Sequence, residues 1–238
     1  MTPRPRGKSL LWLSRKQRVD GFPPASEALT EPNGLLAAGG DLEPERLLAA
    51  YRQGIFPWYQ EGQPILWWSP DPRAVLWPAG LKVSRSLRRS LRTRGYEFRV
   101  DTEFERVIAA CAEPRSYGGG TWITAEMATA YVRLHRLGWA HSFETWADGQ
   151  LAGGLYGVGI GGAFFGESMF TRVTDASKVA LVHAVEFLSA RGTQIIDCQV
   201  ASAHTQSLGA VDMSRAQFLP LIAELCGESA RPQSWRIA

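Results

Sequence analysis

Two short apolar runs carry polar groups in positions where chemistry could be done. Residues 194–200 read QIIDCQV, and strict alternation puts Ile195, Asp197 and Gln199 on one strand face, with Ile196, Cys198 and Val200 on the other. The second face is expected in the core. Two residues apart on a strand, the Asp197 and Gln199 Cα atoms lie about 7 Å from each other, so both can address one substrate group. A satisfied polar pair at a strand end is the competing reading. Residues 164–170, FFGESMF, repeat the theme: Phe165, Glu167 and Met169 share a face, and Phe164, Ser168 and Phe170 take the other. An unpaired charge in apolar surroundings is costly, so Glu167 is either a buried acid with a partner or the polar anchor of a greasy pocket. Arg85, Arg88, Arg89 and Arg92 follow at i, i+3, i+4 and i+7, a basic stripe without acidic neighbours. Such a stripe is either a solvated face or a grip for phosphate, since its like charges repel one another.

The elements that position these groups can be read from periodicity and punctuation. A helix after Asp41 carries Leu47, Leu48 and Tyr51 and stops at Gly54. Ser84 caps the arginine-striped helix, which Gly95 ends, and a further helix covers about 102–111. Thr124 caps another helix, with Met127, Tyr131 and Leu134 on one side and Gly138 at its end. The runs AHSFETW, QLAGGLYGVGI and GAFFGESMF, joined at Asp148-Gly149 and Gly161-Gly162, read as an antiparallel meander. A helix capped by Asp175 or Ser177 and stopped by Gly192 follows, then the QIIDCQV strand. The last helix opens on Ser214-x-x-Gln217. Three strands, a helix, a strand and a helix make an α+β order, as in the later part of acetyltransferase-like (GNAT) folds. The expected division is a small N-terminal domain over 1–71, with an irregular lead-in through about residue 33, packed on a catalytic domain over 72–238.

Composition excludes several classes. The 238 residues carry a formal net charge of only +3, weak attraction for any polyanion at large. Cys111, Cys198 and Cys226 are far apart and show no C-x-x-C, consistent with reduced thiols in the cytoplasm. The four histidines have no metal-ligand spacing, so no metal is expected. The N-terminus is basic at Arg4, Arg6 and Lys8, but the apolar run Leu10–Leu13 is too short for a signal peptide, and no run reaches transmembrane length. The junction MFTRVTDASKVAL lacks the glycines with which acetyltransferases of this fold cradle a CoA pyrophosphate, so no CoA is expected. Residues 54–73, GIFPWYQEGQPILWWSPDPR, combine Trp58, Trp67 and Trp68 with four prolines that forbid a long helix. That segment is a structural staple, the wall of a site, or both.

The motifs EPNGLLAAGGDL, AYRQGIFPWY, PILWWSPDPRAVL, GTWIT, FFGESMF and IDCQV…HTQSLGA, in this order, strongly resemble the leucyl/phenylalanyl-tRNA–protein transferases. The resemblance runs from about Phe22 to the last helix, and leaves the stretch before Phe22 and the brief C-terminus peripheral. It implies transfer of Leu or Phe from aminoacyl-tRNA to proteins beginning with Arg or Lys, which marks them for degradation, by a monomer needing no cofactor. It implies that Asp197, Gln199 and Glu167 are catalytic, with Asp197 orienting and polarising the Gln199 amide. It further implies that Phe164, Ser168 and Met169 line the aminoacyl pocket, and that Tyr51, Trp58 and Trp122 hold the terminal adenosine. Arg85, Arg88, Arg89 and Arg92 would grip the acceptor stem. Leu155 and Ala184 stand where the family carries bulkier pocket residues, which implies more room here. Trp67 and Trp68 are expected to pack the small domain on the catalytic one. The alternatives are an aminoacyl-tRNA-dependent transferase with another amine acceptor, and a CoA-dependent N-acyltransferase.

Overall fold

The computed structural model describes residues 10–114, 122–227 and 230–236. Arg4, Arg6 and Lys8, and Gly120 and Thr121 of the GTWIT motif, lie outside these residues.

The described residues form two sheets. The first has four short strands, β1 (Leu11–Leu13), β2 (Leu35–Gly39), β3 (Phe56–Pro57) and β4 (Leu66–Trp68), in the order β1-β2-β4-β3. The lead-in is therefore not irregular throughout. β1 pairs parallel with β2, Leu13 is buried, and the Arg46 guanidinium donates to the carbonyls of Gln17 and Arg18. Helix α1 (Pro44–Arg52) starts after Glu43 rather than at Asp41, because Pro44 fits the first helical position; Asp41 instead accepts from the Glu43 N–H and from Arg46. The proline-rich stretch is a β3–β4 antiparallel ladder. Trp67 fills the core against Phe22 and donates to the Gly39 carbonyl, while Trp68 braces Trp58 and donates to its carbonyl. These hydrogen-bond and ring partners lie within the N-terminal unit, while Trp67 also belongs to, and Trp68 packs against, the apolar cluster shared with the catalytic domain.

The second sheet has β5 (Arg73–Leu76), β6 (Glu97–Val100), β7 (Ala140–Ala147), β8 (Gln150–Ile160), β9 (Ala163–Thr171), β10 (Ile195–Gln199) and β11 (Val211–Met213), in the order β11-β5-β10-β9-β8-β7-β6. Around it lie α2 (Arg85–Thr93), α3 (Phe104–Ala112), α4 (Ala125–Arg136), α5 (Ala176–Ala190), the short α6 (Ala203–Ser207) and α7 (Arg215–Leu225). Ser84, Thr124 and Ser214 accept from the N–H three residues on, as their sequence positions predict. The reciprocal half of the predicted Ser214 box is absent: the Gln217 side chain accepts from the Ser214 hydroxyl instead. One face of the sheet shares a continuous apolar cluster with α1, α3, α4, α7 and the small sheet. The other face packs on α5 in a second cluster. No helix among the described residues is long and apolar enough to cross a membrane.

β9 and β10 are parallel neighbours, but their pairing ends at Phe165 and Asp197. Both strands then bulge. On β9, Tyr156 of β8 faces Ser168 and Gly157 faces Gly166, so Glu167 is an inserted residue. On β10, Val75 faces Asp197 and Ala74 faces Gln199, so Cys198 is inserted. Bulges bend a strand and re-aim its side chains. Here they accompany a split in the middle of the sheet, and the groups singled out above stand along it.

Candidate active site

The insertion at Glu167 corrects the strict alternation expected for FFGESMF. Phe164 precedes the bulge and Met169 follows it, so both face α5 and line one cavity of about 380 Å³. Leu155, Ala184, Leu181, Leu188 and Ile196 complete its apolar wall. The β10 face expected to lie in the core is therefore partly a cavity wall: Cys198 lines it too, and Val200 is exposed. Burial pushes the Cys198 thiol up to about 12, with the Asp197 charge acting in the same direction, so it stays an uncharged wall group. Ser168 and Tyr156 also line this cavity. Among the described residues their hydroxyls are buried without a hydrogen-bond partner, an arrangement that invites a polar ligand group.

Glu167 is the polar hub at the cavity mouth. Tyr51 donates to its Oε1 at 2.7 Å, Tyr131 to its Oε2 at 3.0 Å, and Gln199 Nε2 to Oε1 at 3.4 Å. The two tyrosine hydroxyls also stand within hydrogen-bond reach of each other; each has one proton to give, so the three contacts are satisfied together only when the Glu167 carboxyl carries a proton. Burial raises the Glu167 carboxyl to about 7, against the lowering effect of the tyrosine hydrogen bonds. Burial likewise lifts Tyr51, Tyr131 and Tyr156 well above the ordinary phenol value, and the Glu167 charge adds to it, so all three remain protonated donors. Tyr51 is fully buried with its ring against Phe165. It meets the site through its hydroxyl, and the stacking on adenosine expected of it has no free ring face.

Asp197 is also fully buried, and its carboxylate does not reach the Gln199 side-chain amide. Arg73 holds it in a two-pronged pair, Nε to Oδ1 at 2.8 Å and Nη2 to Oδ2 at 2.6 Å. Arg73 is itself 1% exposed, donates to the Gly54 carbonyl, and lies between the rings of Phe56 and Phe218. The Asp197 Oδ1 accepts the backbone N–H of Gln199 at 2.9 Å. That bond holds Gln199 in a left-handed conformation, φ 56°, unusual for a side chain of this size. Asp197 thus fixes the backbone from which Gln199 reaches Glu167.

Glu167 and Gln199 also line a second cleft of about 430 Å³, whose wall includes Phe56, Pro57, Trp58 and Trp122. Trp58 is 44% exposed and Trp122 half-buried, and Trp122 borders both spaces. Arg85, Arg88, Arg89 and Arg92 stand exposed along α2, whose Leu87 and Leu91 pack on Val179 and Val182 of α5. Among the described residues, none of the four is in an ion pair. No cluster of three or more His, Cys, Asp or Glu among them could hold a metal ion.

Local patterns missed Arg73, Tyr131 and Tyr156. Tyr131 reads as part of an apolar stripe, and its hydroxyl was the unused signal.

The family model for "Leucyl/phenylalanyl-tRNA protein transferase" matches residues 75–223, and that for its N-terminal domain matches 40–71. The chain belongs to this family. A leucyl/phenylalanyl-tRNA–protein transferase of Aromatoleum aromaticum is 62% identical over 224 residues, covering 94% of this chain and 93% of the relative. One of Chromobacterium violaceum is 61% identical over 203 residues, covering 85% and 87%. Among solved structures, a GCN5-related N-acetyltransferase from Kribbella flavida matches with a TM-score of 0.42 and 13% identity, over 72% of this chain and 61% of its own.

Proposed function

We propose that this transferase moves Leu or Phe from the 3′-end of an aminoacyl-tRNA to the α-amine of a protein beginning with Arg or Lys, forming a peptide bond. The observation that carries the reading is the Glu167–Gln199 pair between two unlike spaces: a largely apolar cavity that suits an amino-acid side chain, and an aromatic cleft that suits a terminal nucleoside. In this reading Leu155, Phe164, Met169 and Ala184 hold the side chain, and the buried Ser168 and Tyr156 hydroxyls meet the α-amino group of the aminoacyl moiety. Trp58 and Trp122 stack on adenosine, a contact worth about 1–3 kcal/mol per base. The arginines of α2 neutralise acceptor-stem phosphates without reading bases.

The acceptor α-amine has a reference value of about 8, so a usable neutral fraction exists at pH 7 without a strong base. Gln199 gives its Nε2 to Glu167, which leaves its carbonyl oxygen to accept from the incoming amine. The amine nitrogen attacks the ester carbonyl, the C–N bond forms, and the ribose 3′-oxygen leaves with a proton. Glu167, held near neutrality at about 7, is suited to take the proton that the amine sheds and to return it to that oxygen. The cytoplasm, where charged tRNA is made, is the compartment this reaction requires.

A CoA-dependent reading is disfavoured by the N-terminus of α5. Asp175 sets a carboxylate there, held by the Ser90 hydroxyl at 2.8 Å, and Thr171 Oγ1 accepts the Ser177 N–H. The Asp175 carboxylate, also paired with Lys178 at 3.6 Å, occupies the helix end where a pyrophosphate would seat. The test is incubation with Leu-tRNA and a peptide starting with Arg, read by mass. The expected product is the peptide plus one leucine residue. An N-acetylated peptide modified equally well would count against the α-amine as acceptor.

A further inference from the structure

The C-terminal tail reaches back behind the aminoacyl cavity. Trp235 is 8% exposed and belongs to the same apolar cluster as Leu155, Phe164, Ala184 and Leu188. Its ring stacks on His141 with centroids 3.6 Å apart, meets Phe187 edge-on at 5.6 Å, and lies tilted against Phe164 at 6.4 Å. The tail is pinned at Gln233: the Trp235 indole N–H donates to Gln233 Oε1, and the Gln233 N–H to the Gly138 carbonyl. β8 keeps a place open for the ring, since a Cβ on Gly159 would sit 2.8 Å from its Cη2. Phe164 is confined in the same way. A Cβ on Gly157 would lie 2.6 Å from its Cζ, and Phe143 meets it edge-on at 5.6 Å. Phe164 therefore has β8 beneath it, Phe143 and Trp235 against it, and the cavity in front. Trp235 itself does not line the cavity.

We propose that Trp235 is a positioning residue that sets the depth of the aminoacyl cavity by holding Phe164, and so tunes the choice between leucyl and the larger phenylalanyl side chain. The inference rests on the reading of this cavity as the aminoacyl site. Close-packed interiors relax only partly when a large side chain is removed, and the side chains bordering the gap, here His141, Phe187, Phe143 and Phe164, shift toward it. With a smaller residue at 235, the Phe164 ring retreats toward the tail and the cavity deepens. A hydrophobic pocket converts a change of one methylene in fit into about 10–200-fold in discrimination, so a change in depth is read most directly in a substrate ratio. Support of the fold alone would lower the amount of active enzyme and depress both substrates together.

The experiment uses the full chain, with Leu-tRNA and Phe-tRNA competing at equal concentration for a peptide starting with Arg. Trp235→Leu is expected to raise the phenylalanyl-to-leucyl product ratio about tenfold, through a lowered KM for Phe-tRNA relative to Leu-tRNA. Trp235→Phe, which keeps an aromatic plate behind Phe164, is expected to give an intermediate ratio. An unchanged ratio in Trp235→Leu, with both rates falling by one factor, overturns the inference. Should Trp235→Leu fail to fold, an unchanged ratio in Trp235→Phe overturns it equally. Wild-type protein that transfers neither amino acid would overturn the reading of the cavity, and the inference with it; wild-type transfer with an insensitive ratio overturns the inference alone.

Discussion

Replacing Asp197 by Ala strands the guanidinium of Arg73 in the interior. Arg73 is 1% exposed, and after the change it keeps the Gly54 carbonyl and two aromatic faces but no counter-charge. Removing one partner of a buried, hydrogen-bonded ion pair costs about 3–5 kcal/mol, a large share of the ~5–15 kcal/mol by which a folded protein is stable. At roughly 2–4 °C per kcal/mol for a chain of this size, the melting temperature should fall by about 6–20 °C. Urea unfolding followed by tryptophan fluorescence reads the loss directly, with the slope unchanged and the midpoint lowered. Asp197→Asn separates charge from positioning. It can still accept the Gln199 N–H, so folded Asn variant should keep more transfer activity than folded Ala variant at equal tRNA affinity. A double change, Arg73→Met with Asp197→Leu, should recover much of the stability but not the activity, because the Gln199 N–H loses its acceptor. An Asp197→Ala protein within about 1 kcal/mol of wild type would refute the reasoning, as would an active Met/Leu double variant.

The Glu167 carboxyl sits at about 7 in the fold against an ordinary 4.5. Its favourable protonated state is fully present below about 4.5 and is lost as pH rises through 7, so Glu167→Gln should gain on wild type across that window, by up to about 3 kcal/mol; parallel stability curves would contradict this. If ionised Glu167 carries the proton, wild-type transfer rises with pH through about 7, and the Gln variant is slow and lacks that step. Neutralising Arg88 and Arg89 should weaken tRNA binding and flatten its log–log salt slope by about 2; an unchanged slope would make the stripe a solvated face. Ala184→Leu, which fills the cavity from α5, should lower use of Phe-tRNA relative to Leu-tRNA by about tenfold in a competition assay.

The sequence made some of this legible because local rules decided it. β8 runs over the predicted residues, Gln150–Ile160, and Ser84 and Thr124 cap the predicted helices. Turn glycines and side-chain oxygens act within a few residues, so their consequences can be read locally. The site was less legible because its geometry depends on insertions and distant partners. Counting alternate residues assumes an unbroken ladder, and the bulges at Glu167 and Cys198 break it. That is why Phe164 and Met169 share a wall although strict alternation separates them. Arg73 lies 124 positions from Asp197, and no local pattern joins them. The β1 strand and the Trp235 tail take their structure from what they pack on, and looked peripheral for that reason. Tyr51 was expected at the site, and the structure brings its hydroxyl, not its buried ring, to Glu167.

In the proposed reading, the aminoacyl side chain and the terminal adenosine occupy the two spaces that meet at the Glu167–Gln199 pair. The most direct measurement is a crystal structure with a non-hydrolysable amide analogue of 3′-phenylalanyl-adenosine. The phenyl ring is expected against Phe164, Met169 and Leu155, the adenine between Trp58 and Trp122, and the amide carbonyl beside Gln199. A phenyl ring in the tryptophan-walled cleft, or an adenosine remote from Trp58 and Trp122, would contradict it.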